Sequence, residues 1–170
     1  MKNFFFGIIV VIVAGIAGAL IYTLGGFANV TADTPPSQME TILLKPALDP
    51  SIGRHAPHVN NPVAMNDANL IQGMKLYAMN CALCHGSLNQ KPNTVGAALE
   101  PAAPNLILKP LDDPEWHVFY AVKHGIRMTG MPAWGGILSD DDLWKITGFL
   151  TRVDKLPPAV QQEIKQYFPL

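Results

Sequence analysis

The longest uninterrupted apolar pattern in the chain lies at its N-terminus. From Phe4 to Leu24 it reads FFFGIIVVIVAGIAGALIYTL, with no charged residue. Coiled as a helix, that run is roughly 31 Å long, about the thickness of a bilayer core. It predicts one transmembrane helix within an anchor of residues 1–25. Lys2 and the α-amino group precede it, and no basic residue follows until Lys45. The positive-inside rule therefore keeps the N-terminus in the cytoplasm and exports the chain beyond Gly25. A cleaved signal peptide is the competing reading, with Val30-Thr31-Ala32 as the small-residue site. The run exceeds the usual ~7–15-residue apolar core of such peptides, which favours an uncleaved anchor.

Between residues 26 and 65 the pattern loses its period. Pro35, Pro36, Pro46, Pro50, Pro57 and Pro62 fall here, so the stretch is expected to be a Pro-rich tether, with a root-mean-square span of roughly 35 Å if flexible. Thr41-Ile42-Leu43-Leu44 and Ala47-Leu48 are apolar enough to pack on the following domain or on a partner. His55 and His58 are spaced like a loose ligand pair, although solvated side chains are the simpler expectation.

Helical periodicity begins near residue 66. Asn66 or Asp67 caps a helix whose apolar positions are Leu70, Met74, Tyr77 and Ala78. A loop follows from Gly86 to about Lys109. Asp113 then caps a second helix with Pro114 at its first position and a stripe of Trp116, Phe119, Tyr120 and Val122, stopped by Gly125. Ser139 opens a third, its first turn acidic through Asp140, Asp141 and Asp142. That helix carries Leu143, Trp144, Ile146, Thr147, Phe149 and Leu150 and fades before Pro157. A last amphipathic helix, about Pro158 to Tyr167, sets Val160, Ile164 and Phe168 on one side. No strand pattern or internal repeat stands out. The expectation is an all-α domain of three or more helices over 66–155, with a C-terminal amphipathic extension over 156–170.

Composition narrows the functional classes. The 170 residues are 49% hydrophobic and 15% charged, with a formal net charge of -1. A nucleic-acid binder would need a clustered basic surface, which this balance does not supply.

Chemistry enters with the only two cysteines, in Cys81-Ala82-Leu83-Cys84-His85. Two Cys separated by two residues and followed by His is the attachment signal of a c-type haem. Each sulfur adds to one haem vinyl group, and His85 lies beneath the iron as its proximal ligand. A thioredoxin-like pair would sit in a βαβ pattern, which is missing. A zinc site would want a second Cys/His pair at short spacing, also missing. A plain disulfide remains open in an exported protein. Because c-type haem is attached outside the cytoplasmic membrane, export and motif agree.

A sixth iron ligand is then needed. Met131, in Gly130-Met131-Pro132-Ala133-Trp134, is the first candidate. Its thioether is a soft ligand that favours ferrous iron and raises the potential relative to a second imidazole. Pro132 fixes the backbone after it, and Gly130 permits a tight approach. Met128 is the local rival. His124 is the chemical rival, at a helix C-terminus where His also complements the dipole.

On these motifs, residues 66–153 resemble the class I c-type cytochromes, small all-α single-haem domains. Gly73-Met74-Lys75-Leu76-Tyr77 looks like the Gly-x-x-x-aromatic of their N-terminal helix. Leu143-Trp144-x-Ile146-x-x-Phe149-Leu150 looks like the C-terminal helix that crosses it. Ala103-Pro104-Asn105-Leu106 looks like their proximal loop, and Gly130-Met131-Pro132-Ala133 like their distal loop. The resemblance implies that the Pro104 carbonyl accepts the imidazole N–H of His85. Where the family often has Asn-Gly before the Met loop, this chain has His124-Gly125. Residues 1–65 and 155–170 lie outside the resemblance. Arg127 or Lys109 would answer the haem propionates, Trp134 would wall the pocket, Trp144 would be core, and Trp116 core or the edge of a docking surface.

The expectation is a membrane-anchored carrier of single electrons with one covalent haem c and iron held by His85 and Met131. It would work on the outer face of the cytoplasmic membrane, with its haem domain in the periplasm or on the extracytoplasmic side. Its partners would be redox proteins or a larger membrane oxidoreductase complex, as in a respiratory chain, with no nucleic acid and no small-molecule substrate. The carrier itself would not be an enzyme. A five-coordinate or bis-His haem acting as a gas or redox sensor, or as a peroxidase-like enzyme, is the alternative.

Overall fold

A computed structural model describes residues 2–34, 36–87 and 93–167. The chain divides into two compact units, Met1–Thr34 and Pro35–Leu170. The first is helix α1, Lys2–Leu24, followed by a short turn. With a mean hydropathy of 2.9 and every side chain exposed, α1 is long and apolar enough to cross a membrane. Gly25 ends it by donating to Ile21 O (2.8 Å), and Gly26 takes φ +75.

The second unit holds α2 (Gln38–Leu44), α3 (Leu48–His55), α4 (Asp67–Asn80) and the single turn α5 (Ala82–His85). After these come α6 (Thr94–Ala97), α7 (Glu115–His124), α8 (Asp140–Leu150) and α9 (Pro158–Tyr167). Among the described residues all regular structure is helical. The caps explain several boundaries. Asn66 accepts from Asn69 N at 2.9 Å to open α4. Ser139 accepts from Asp142 N (3.2 Å) and donates to Asp142 Oδ2 (2.7 Å), so cap and third residue satisfy one another. The second helix starts one residue later than its sequence suggests. Pro114, extended at ψ 150, is the cap itself, and the Asp113 carboxylate instead faces His117 at 3.6 Å.

The core forms where α4 crosses α8. Gly73 makes the crossing possible, because a Cβ there would run into the Lys145 carbonyl and approach Phe149 Cβ at 3.2 Å. Around it Leu70, Met74, Tyr77, Leu143, Ile146 and Phe149 are almost wholly buried, each worth about 1.5–3 kcal/mol in apolar burial. Helix α7 joins through Val118 and Val122 rather than through its full aromatic stripe. Phe119 stacks on Trp144 (3.9 Å, 6°), while Tyr120 leans on His124 (4.4 Å). The C-terminal extension is part of the same core. Leu156 and Val160 are buried, and Lys75 of α4 pairs with Glu163 of α9 at 2.9 Å. Phe168, expected on the same face, lies outside the described residues.

The expected tether is largely structured. Residues 48–65 form a strap on the domain, not a solvated linker. Ile52 and Ala56 are buried, Asp49 faces His117 at 3.9 Å, and His58 stacks on Trp116 at 3.9 Å. Asn61 Nδ2 donates to Trp144 O at 3.2 Å, and the Met65 sulfur fills the space a side chain at Gly148 would take. The prolines set breaks between these pieces rather than preventing structure. Of the expected packing patch, Ile42 is exposed and Leu48 lies at the surface, which leaves packing on a partner, while the Leu43 and Leu44 side chains lie outside the described residues. His55 and His58 donate to Ser51 O (2.8 Å) and Gly53 O (3.2 Å) and do not form a pair.

Candidate functional site

Cys81 sits at a junction. Its N–H closes the last turn of α4 on Tyr77 O (2.8 Å), and its carbonyl accepts from Cys84 N (3.1 Å) and His85 N (2.8 Å) to start α5. Cys81 and Cys84 are therefore three apart on one helical turn, where side chains share a face, and His85 follows directly. Both are free thiols, Cys81 buried and Cys84 half-buried. Burial, with Cys84 adding to it, pushes the Cys81 thiol up to about 12, so it keeps its proton.

His85 is held from two directions. Its Nδ1 donates to Pro104 O at 2.9 Å, and its own carbonyl accepts from Leu106 N at 2.9 Å. That leaves Nε2 as the nitrogen available to a metal. The loop behind it is organised by Asn105, whose Oδ1 accepts from Ile107 N (3.1 Å) and Leu108 N (2.9 Å). Gly86 turns the chain away at φ +97, with Asn105 filling the space beside it. The buried Tyr77 hydroxyl lies 2.7 Å from Gly86 O and 3.0 Å from His85 O and pins the end of the motif. Farther on, Asn93 caps α6 through Gly96 N (2.8 Å) and its amide reaches Cys84 O.

The Met-bearing loop is closed on itself. Ile126 N donates to Met131 O (3.2 Å), Thr129 Oγ1 donates to Ile126 O (2.7 Å), and Met131 N donates to Thr129 Oγ1 (3.0 Å). Gly125, at φ +66, lies against the Met131–Ala133 backbone, where a Cβ would come within 2.6 Å of Pro132 C. Met131 is half-buried and, like Trp134, packs on the core. Met128, at φ +60, is 74% exposed, and His124 is exposed against Tyr120. Gly130 lies against Leu99. Arg127 and Lys109 are both exposed.

Residue reading missed Tyr77, Thr129, Asn93 and Asn105 as supports. Asn93 and Asn105 each precede a backbone N–H that their side chain accepts two or three residues on. That local signal was available in the loops that hold them.

The donor set fits a covalently held haem. It offers two unpaired thiols on one turn, a neighbouring imidazole with one nitrogen already committed, and an inward thioether on a second loop. An all-helical unit with such a turn is a haem-carrying electron-transfer domain. Residues 68–150 match the family described as "Cytochrome C oxidase, cbb3-type, subunit III". Residues 68–150 are thus a c-type cytochrome domain, which implies covalently bound haem c with its iron, and an N-terminal apolar helix comes earlier in the chain. No curated protein matches the chain.

Proposed function

We propose that this cytochrome moves single electrons through an iron held between His85 and Met131, with its second unit on the outer side of the cytoplasmic membrane. Haem c supplies reversible one-electron exchange at its iron. Cys81 and Cys84 hold it by thioether bonds. His85 presents Nε2 with its ring fixed by Pro104, which also raises its basicity. Met131, on a loop held by Thr129, would be the second protein ligand to the iron. With His85 and Met131 both holding the iron, neither oxygen nor a substrate would find an open site.

The observation that carries this reading is the contrast within the Met loop. Met131 packs inward, whereas Met128 and His124 face solvent. Residues 1–25 serve as the anchor, with Lys2 on the cytoplasmic side. Charge asymmetry supports export, as does the need to attach haem c outside that membrane. Partners are redox proteins or a membrane oxidoreductase complex, and the described name of the matched family points toward a respiratory oxidase.

The test is optical. Ferric wild-type protein extracted from membranes should show the weak long-wavelength sulfur-to-iron band, and its ferrous form should not bind carbon monoxide. Met131→Ala should lose the band and gain carbon monoxide binding. A wild type without the band, or one that binds carbon monoxide readily, would replace this ligation with His124 ligation or an open-site sensor or enzyme.

A further inference from the structure

Helix α6 is a single turn, yet it touches the segments that carry Cys84, Pro104 and Met131. At its start the Asn93 amide reaches Cys84 O, the carbonyl next to His85, while Asn93 Oδ1 accepts from Gly96 N at 2.8 Å. Gly96 is buried against the same Cys84 carbonyl, where a Cβ would collide with it. Gly96 O accepts from Ala103 N (2.9 Å), beside the Pro104 whose carbonyl orients His85. At the far end Leu99 covers Gly130, the neighbour of Met131. A Cβ on Gly130 would lie 2.8 Å from Leu99 Cδ1 and 3.0 Å from Leu99 Cδ2.

The backbone between these ends is a closed turn. Ala97 N donates to Asn93 O (3.2 Å), and Ala98 N donates to Thr94 O (3.2 Å) and Val95 O (3.1 Å). The position of the half-buried Leu99 is therefore set by the anchor at Cys84. Packed side chains on such a turn pass a displacement on rather than absorb it. A thioether is a weak ligand to iron, so how often it leaves depends on how readily its loop opens.

We propose that α6 and Leu99 brace the Met loop from the cysteine turn, and that Leu99 and Asn93 are positioning residues for Met131. The proposal rests on the His85–Met131 reading and adds the device that keeps Met131 in place. Leu99 acts on the loop directly, through Gly130. Asn93 acts at a distance, through its bonds to Cys84 and Gly96 at the other end of the turn.

Displacement of Met131 from ferric iron by added imidazole tests this on the full chain in detergent. One iron–sulfur bond is exchanged for one iron–nitrogen bond, no electron moves, and loss of the sulfur-to-iron band gives the affinity. Leu99→Ala uncovers Gly130 and should raise the apparent affinity about tenfold, because a larger share of loops stands open. Asn93→Ala removes the cap and the bond to Cys84 and should raise it about fivefold. Gly130→Ala added to Leu99→Ala puts a methyl into the vacated space and should return the affinity to within about threefold of wild type. Leu108→Ala, at a position 57% exposed on the loop after Pro104, should stay within about twofold. Amide hydrogen exchange at Met131, whose N–H is bonded to Thr129, should quicken in both single variants. Affinities within about twofold of wild type in both Leu99→Ala and Asn93→Ala overturn the proposal. A double variant no closer to wild type than Leu99→Ala does the same. Should Leu99→Ala fail to fold, Asn93→Ala decides on the same criterion. A wild type without the sulfur-to-iron band overturns the His85–Met131 reading instead, before any variant is measured.

Discussion

Replacing Gly73 with alanine tests the fold where it is tightest. The added Cβ meets backbone, the Lys145 carbonyl of α8, and lies 3.2 Å from Phe149 Cβ. Neither is the free end of a flexible side chain, so the helices must separate. Alanine is a better helix former than glycine by about 1 kcal/mol, while overpacking a filled interface costs about 1–3 kcal/mol. Because the neighbours Leu70, Met74, Tyr77, Ile146 and Phe149 are all buried, the cost falls toward the upper end. The expected net loss is about 2 kcal/mol, a fall in Tm of roughly 5–9 °C for a unit spanning Pro35–Leu170. Gly53→Ala is the matched control. It sits within α3 with nothing within 4 Å of an added Cβ, so only the helix term remains and the change should be neutral or stabilising by up to about 1 kcal/mol. Urea unfolding followed by tryptophan fluorescence reads both, since Trp116, Trp134 and Trp144 all lie in the helical unit and haem quenches them when it is folded. If Gly73→Ala were as stable as the wild type, the close crossing of α4 and α8 would be refuted.

Gly125→Ala forces a side chain at φ +66 against the Met loop backbone. It should cost about 1–3 kcal/mol and weaken the sulfur-to-iron band; an unchanged band would separate Gly125 from loop geometry. Tyr77→Phe removes the hydroxyl from the buried Gly86 O, while His85 O keeps the Leu106 N–H. The expected loss is about 1–3 kcal/mol by denaturant titration, and an unaffected midpoint would count against the pinning role. Ile52→Ala should cost about 2–4 kcal/mol because Ile52 is 5% exposed in the strap. A midpoint equal to wild type would return residues 48–65 to the status of a tether.

Much of this was legible in residue order because helices advertise themselves locally. The α4 cap at Asn66, the acidic start of α8 at Ser139 and the stop at Gly125 are each decided within four residues. Pro104 was reachable only through resemblance, since nothing in its own neighbourhood says that an imidazole 19 residues earlier donates to its carbonyl. The strap was misjudged for the same reason. Its stabilising partners, Trp116, His117 and Trp144, lie 58 or more residues from the strap positions they meet, and a short run such as Ile52-Gly53-Arg54 has no period to betray them. Ile42 and Leu48, apolar enough to pack on the domain or on a partner, lie at the surface of the domain, because periodicity reports amphipathicity and not the neighbour that receives it. Met131 stands ahead of Met128 on residue order alone, through Gly130 and Pro132 beside it, and the left-handed turn at the exposed Met128, which no pattern of hydrophobicity encodes, adds support to that proposal.

The strap changes what a mechanical load on this chain would do. A pull arriving along the polypeptide from α1 reaches α3 and its buried Ile52 before it reaches α4, which leads into the haem-bearing turn. Tension is borne by α3, by the His58–Trp116 stack and by the Asn61 contact with α8. The cysteine turn, downstream of all three, is insulated from it. A pull on α1 is therefore spent in a region apart from the cysteine turn while the strap remains seated.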